Sequence, residues 1–526
     1  MNTSSSSHRI GNRASKATEY ASSSESSVLR SLFELRKSYS QQSDNDCAVR
    51  NLIFWNCTWS PRIIQSLRKI LVRDRRRFSS IKFFDCAIQS DDTNSQLFEE
   101  ILQMVLFNNS TDSLIIKGGR LIGNNNNASQ QQSSQSSCRF SSAHCSSASL
   151  ANALRERLST KTSLKSLTLS GLDFSSASAV EDLSIALSQN STLESVNVRK
   201  SSLDDESIAQ ILRSVMGHPS LTSLDLSKNY LGARKSNAAF SPTTALDTVA
   251  ELLRSKSSKL EHLNLSNQYQ MHPRESTSTQ SLSQQTKEDV HSQICQHRAA
   301  FGKAFGALST NQSLKSIDLS CNPGCLLDPS SVEALAVCLS TNSCLEYANV
   351  SDCDMTPESI AYLARECLPF CGTSLKSLVL FGGHLETTAA SQKNLDNSVS
   401  SCPTTVVRSE ALGFENKCCG ASAPALEKGL LLNMTLESLG DLPSDNKNET
   451  INETYKRIQH VLNLNKAGRR AFRSSLPLAT WSHLLTRAGN LEYNRSLEDS
   501  TKHQGGNDTA SVLFSLLRQG PILMEH

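Results

Sequence analysis

One eleven-residue template recurs along this chain and restricts its fold more than any other feature. Leu193, Val196, Val198 and Leu203 occupy the first, fourth, sixth and eleventh positions of one copy, with Ser201 at the ninth. Leu221, Leu224, Leu226 and Leu231 repeat the pattern 28 residues later, with Asn229 at the ninth. Alternating apolar positions describe a strand with one buried face. Between the copies, Ile208, Ile211, Leu212 and Val215 recur at helical spacing after Asp204. One strand and one helix cannot bury their own edges, so copies must stack into a continuous core. The expected fold is an α/β solenoid: a horseshoe with parallel strands on the concave face, helices on the convex face and a C-terminal helical cap.

Ten clear copies follow one another, and an eleventh breaks off. The first uses Val49, Leu52, Phe54, Cys57 and Trp59, and the second Phe78, Ile81, Phe83, Cys86 and Ile88. Later copies carry Leu114/Ile116, Leu167/Leu169, Leu263/Leu265, Ile317/Leu319, Ala348/Val350 and Leu378/Leu380 at the fourth and sixth positions. The last begins at Leu436 and Leu439 and breaks at Gly440 and Asp441. Residues 46–442 therefore form the repeat domain. Residues 1–45 are Ser-rich and aperiodic and read as a disordered tail. Residues 451–521 hold three amphipathic patterns, around Ile458 and Leu462, Leu478 and Trp481, and Leu513 and Leu517. They read as a cap over the last repeat, or else as a docking module centred on Trp481 with Arg469 and Arg470 exposed.

Four intervals between copies are long, and the excess always falls after the strand and before the helix: near 124–147, 234–243, 267–289 and 386–422. Equivalent positions in a solenoid share one rim. These loops either contact a partner or reflect drift, since polar loops on a solvated rim cost little stability. Asn-x-Ser/Thr triplets at Asn190, Asn311 and Asn433 precede the first Leu of a copy. They read as helix-end chemistry, not as glycosylation acceptors.

The spacing L-x-x-L-x-L-x-x-N-x-L resembles the leucine-rich repeat signature. The joints Ala186 to Leu193 and Leu308 to Leu314 are similar to those of the ribonuclease-inhibitor-like class, and the resemblance covers roughly Val49 to Leu439. That class includes the sensor portion of NOD-like receptors and the body of Ran GTPase-activating proteins. Val461 to Arg470, Pro477 to Trp481 and Ala510 to Pro521 resemble the C-terminal region of uncharacterised repeat proteins abundant in diatoms, which implies a lineage and no activity.

A net charge of +3 argues against a generalised nucleic-acid binder, and no apolar run reaches the length of a membrane span. The first residues lack the apolar core of a secretory signal, so the sixteen cysteines read as reduced thiols of a cytoplasmic or nuclear protein. No matched set of Cys or His completes a zinc site, and no cofactor motif is present. Nor is there a G-x-S-x-G, an H-E-x-x-H or a phosphate-cradling glycine loop. His262 lacks a nucleophile with an orienting partner. The expectation is a non-enzymatic scaffold whose partner is a protein. The competing reading, a GTPase-activating protein of the Ran type, would rest on Arg120 in a strand-to-helix loop.

Positions three, five and seven of each copy face the concave side. In central copies they are small and polar: Ser166, Thr168 and Ser170; Ser223, Asp225 and Ser227; Ser316, Asp318 and Ser320. Towards the ends they turn apolar and aromatic, and Trp55, Phe84, Ile115, Tyr347, Val379 and Phe381 are the candidate partner-binding residues. The alternative is that Met1–Asn45 and the Glu386–Ser422 loop fold over these positions.

Overall fold

The computed structural model describes residues 7–10, 28–29, 51–55, 57–70, 78–84, 86–90, 105, 111–118, 122–123, 144–158, 163–232, 244–268, 296, 299–322, 324–371, 374–381, 422–442 and 449–467. The chain divides into two compact units, Met1–Gln293 and Ile294–His526.

In the first unit the strands are β1 (Ser7–Ile10), β2 (Asn51–Trp55), β3 (Thr58–Trp59), β4 (Ser80–Phe84), β5 (Ala87–Ser90), β6 (Ser113–Lys117), β7 (Ile122–Gly123), β8 (Ser166–Ser170), β9 (Ser195–Asn197), β10 (Ser223–Asp225) and β11 (His262–Asn264). β1, β2, β4, β6, β8, β9, β10 and β11 pair in that order, every pair parallel. A smaller parallel sheet, β3–β5–β7, follows the turn after the first three templates. The helices are α1 (Pro61–Arg68), α2 (His144–Leu158), α3 (Ala177–Gln189), α4 (Asp205–Val215) and α5 (Thr244–Arg254), with α2 to α5 each packed on the next. Strand and helix alternate, as an α/β repeat array requires.

The template positions sort by burial as alternation demands. Leu52, Phe54, Ile81, Phe83, Leu114, Ile116, Leu167, Leu169, Val196, Val198, Leu224 and Leu226 are all buried. At the N-terminal end the core is aromatic: Phe54 stacks on Phe83 with centroids 5.3 Å apart, and Trp59 tilts against both. Helix starts follow capping chemistry. Ser60 accepts from the Ile63 N–H with Pro61 at the first helical position, and Asp204 accepts from the Ser207 N–H.

β1 falls inside the segment expected to be a disordered tail. Its backbone pairs with β2 from Ser7 opposite Asn51 to Ile10 opposite Phe54. Parallel sheets need both edges satisfied, and a polar segment can do this with main-chain bonds alone. Asp205 is buried at the start of α4; its two carboxylate oxygens accept from the Gly232 N–H (2.8 Å) and the Ala245 N–H (3.2 Å). One carboxylate thus pins both ends of the 234–243 insertion, which itself lies outside the described residues. Burial raises the Asp205 pKa, and the two N–H donors oppose that rise.

The second unit repeats the plan. Strands β12 (Ser316–Asp318), β13 (Tyr347–Asn349), β14 (Ser377–Phe381) and β15 (Ser438–Gly440) pair in order and in parallel. Its helices are α6 (299–308), α7 (Pro329–Thr341), α8 (Pro357–Tyr362), α9 (422–432) and α10 (Glu449–Lys466). α8 runs on into a π turn, Leu363–Cys367, and a 3-10 turn, Leu368–Phe370. Pro369 has no N–H to donate back and ends the helical run there.

Two polar ladders hold the repeats in register. At the helix-to-strand joints, the buried side-chain oxygens of Asn190, Asn311, Asn342 and Asn433 each accept from two N–H groups of the following turn. Three of their amides reach a carbonyl of the preceding repeat: Asn190 to Leu158, Asn342 to Leu308 and Asn433 to Leu368. At the ninth template positions, Asn229 accepts from the Ser201 and Leu203 N–H groups and donates to the Val198 and Leu226 carbonyls. Gln268 takes the same role one repeat on, accepting from the Asn229 and Leu231 N–H groups. Cys353 fills the position with its thiol, which donates to the Leu319 carbonyl.

Candidate functional site

The outward face of the first unit's sheet is a grid of side chains from positions three, five and seven. Register places Ile53, Lys82, Ile115 and Thr168 abreast in one row, and Trp55, Phe84, Lys117 and Ser170 in the next. Ile53, Phe84 and Ile115 are half-buried and Lys117 is exposed. The Lys117 ammonium stands 5.9 Å from the Phe84 ring centroid, within reach of a cation–π attraction. Phe84 and Ile115 therefore share one patch, flanked by Lys82 and Lys117. The Trp55 backbone lies in β2 beside Phe84; its side chain is outside the described residues.

Further along, the face changes character for a reason invisible in a hydropathy pattern. Asn197, Asp225 and Asn264 fill the fifth position of β9, β10 and β11, and each accepts from the N–H two residues ahead. Asp318 and Asn349 do the same in β12 and β13. Asn197 also donates to Asp225 at 2.8 Å. These five strands are three residues long, whereas β2, β4, β6, β8 and β14, with Ile53, Lys82, Ile115, Thr168 or Val379 there, are five long. An Asx side chain that captures the N–H ahead turns the chain early. The polar centre is thus built into the backbone of its own strands.

In the second unit, Tyr347 lies abreast of Ser316 and Ser377, and Val379 abreast of Asn349; both are half-buried. Burial raises the Tyr347 pKa, the Asp318 carboxylate raises it further, and a hydrogen bond with Asn349 opposes both. Phe381 departs from expectation. It is buried, 8% exposed, with its ring edge-on to Tyr455 of α10 at 6.3 Å. The C-terminal helix gives it this cover; the segments expected to shield the aromatic ends, Met1–Asn45 and Glu386–Ser422, lie almost wholly outside the described residues. Phe381 is therefore part of the unit's closure and not of an open surface.

The remaining candidates separate. His262 is exposed on β11 opposite Ser223, while Asp225 pairs with Asn264. Arg120, Arg469, Arg470 and Trp481, and the other two expected cap helices, lie outside the described residues. Among the described residues, no group of three His, Cys, Asp or Glu side chains gathers as a metal site, and no helix is long and apolar enough to cross a membrane. No protein-family model matches this chain, and no curated protein matches it either.

Proposed function

We propose that the chain is a non-enzymatic protein-binding scaffold of the ribonuclease-inhibitor-like leucine-rich repeat kind, working in the cytoplasm or nucleus. Its contact surface is the outward sheet face of the first unit, around Phe84 and Ile115. One observation carries this reading: on β2, β4 and β6 the outward positions hold Ile53, Phe84 and Ile115 beside Lys82 and Lys117, while on β9 to β11 they hold residues bonded into their own turns. Half-exposed apolar side chains ringed by cations suit an apolar, acidic segment of a partner protein. The intracellular part of the reading draws support from the joint asparagines. Asn190, Asn311 and Asn433 are buried and hydrogen-bonded, so a chain that received a sugar at any of them before folding could not adopt this packing.

The test is a quantitative affinity capture with wild type, Phe84→Ala/Ile115→Ser and, as a control on the same face, Ser195→Ala. Proteins retained by wild type and the control should drop at least about tenfold with the double variant, the loss of a hot spot of 1.4 kcal/mol or more. Equal retention by all three would remove this face from consideration.

A further inference from the structure

The thiols offer the strongest feature that the binding reading leaves unused. Cys367 closes the π turn after α8, and its sulfur lies 3.4 Å from that of Cys371, the residue just past the 3-10 turn. Cys367 is buried and Cys371 half-buried. The place of Cys371 in the array is also unusual. Asn342 donates to the Leu308 carbonyl, three residues before the joint residue Asn311. Asn433 donates in the same way to the Leu368 carbonyl, three residues before Cys371. Counted forward from that carbonyl, Cys371 takes the place of the anchoring Asn, although Gly372 is the residue three before Leu375; the Cys371 side chain points at a second thiol.

We propose that Cys367 and Cys371 are a redox-modification site, forming a reversible disulfide when the protein meets hydrogen peroxide. Cys371, the more accessible sulfur, reacts first. Its thiolate attacks one peroxide oxygen, the O–O bond breaks, hydroxide leaves and a sulfenic acid remains. The Cys367 sulfur then attacks the Cys371 sulfur; the S–S bond forms, and the sulfenic hydroxyl departs with the Cys367 proton as water. Two thiols are oxidised, and one peroxide becomes two waters. The hydrogen bond with Cys371 and burial push the Cys367 thiol strongly upward, so Cys367 stays protonated while Cys371 meets the peroxide. The closed ring contains Leu368, Pro369 and Phe370. Leu368 holds the Asn433 amide of the next repeat, and Phe370 is 66% exposed, so oxidation cross-links the joint that, among the described residues of this unit, has no Asn.

A third thiol makes the assignment sharper. Cys338 of α7 is buried, and burial together with the nearby Cys371 pushes it up to about 12. It is the competing partner for Cys371, and proximity favours Cys367, whose sulfur already lies 3.4 Å from that of Cys371.

The experiment uses the full chain, graded hydrogen peroxide, alkylation of the remaining thiols and tryptic mapping. Cleavage after Arg365 and Lys376 releases both cysteines in one peptide. The expected result is that this peptide becomes two hydrogens lighter and loses both alkylation sites, reversibly with dithiothreitol. This should occur at peroxide levels that leave half-buried Cys344 open to alkylation. Cys367→Ser should then leave Cys371 as a sulfenic acid that dimedone traps. The proposal is overturned if both cysteines alkylate as readily as Cys344 throughout, if Cys371 maps to Cys338, or if Cys367→Ser yields no dimedone adduct on Cys371.

Discussion

His218 shows how much one side chain can alter a repeat joint. It stands three residues before Leu221, where the neighbouring joint has Asn190 before Leu193. Its Nδ1 accepts from the Ser220 and Leu221 N–H groups at 3.3 and 3.1 Å, as an Asn oxygen would. An imidazolium has no acceptor, so protonation breaks both bonds. Burial lowers the His218 pKa, and the Asn190 carbonyl only partly opposes this. The native state therefore keeps His218 neutral at a pH where the unfolded chain has begun to bind a proton. The stability contribution is whole above the unfolded value near 6.5, falls as the pH drops below it, and is fully lost once the pH passes below the lowered native value. His218→Asn removes this dependence while keeping the acceptor. Thermal melts at pH 7.5 and 5.5 should show a smaller drop for the variant than for wild type. At pH 7.5 the two should agree within about 1 kcal/mol, the scale of one net hydrogen bond. An equal drop in both would mean that His218 does not carry a measurable share of the acid sensitivity.

At the scale of the element, strand length follows the fifth template residue and not the hydrophobic pattern. Asp225→Ala removes the acceptor for the Ser227 N–H and leaves the Asn197 amide without its 2.8 Å partner. The expected cost is about 1–2 kcal/mol for these part-buried bonds, and Asp225→Asn recovers only part of it, because its one oxygen can serve the Ser227 N–H while its amide NH2 faces the Asn197 donor. Amide exchange at Ser227 should quicken in Asp225→Ala and barely change in Asp225→Asn; identical exchange in both would detach strand length from this bond. This element also marks the boundary of what a sequence can disclose. Leu224 and Leu226 were legible as core because burial follows alternation, and Asn190, Asn311 and Asn433 as helix-end residues because they recur before Leu. Phe84 and Ile115 were legible as outward residues by the same count. The early turn at Asp225 was not, since Asp at an outward position reads as a solvated charge until its partner N–H is located. β1 escaped notice because Ser7–Ile10 carries none of the template's apolar spacing, and its pairing with β2 runs through the main chain. The burial of Phe381 was hidden because its partner, Tyr455, is distant in sequence and belongs to a helix with no strand after it among the described residues.

For the molecule as a whole, that helix changes what the C-terminal segment is. α10 behaves as the helix of one more repeat. Asn465 lies 32 residues after Asn433 and donates to the Asn433 and Leu436 carbonyls, much as Asn342 donates to Leu308 and Asn311 thirty-odd residues before it. Its inner face buries Tyr455, Ile458, Val461, Leu462 and Leu464, and its outer face bonds Arg457 to Glu427 of α9 at 2.6 and 3.1 Å. An array closes when its last apolar edge is covered, and here the cover reuses the repeat's own joint. The two kinds of contact should differ widely in weight. Tyr455→Ala opens a cavity against Phe381 and should cost about 3–5 kcal/mol by analogy with buried aromatic truncations. Arg457→Ala removes a pair whose arginine is more than half exposed, and such pairs contribute about 0–1 kcal/mol. Urea unfolding followed by circular dichroism should place the Tyr455→Ala transition well below wild type and leave Arg457→Ala near it. Equal midpoints for the two variants would mean that α10 is held to the array by its charges, and that Phe381 does not depend on it for cover.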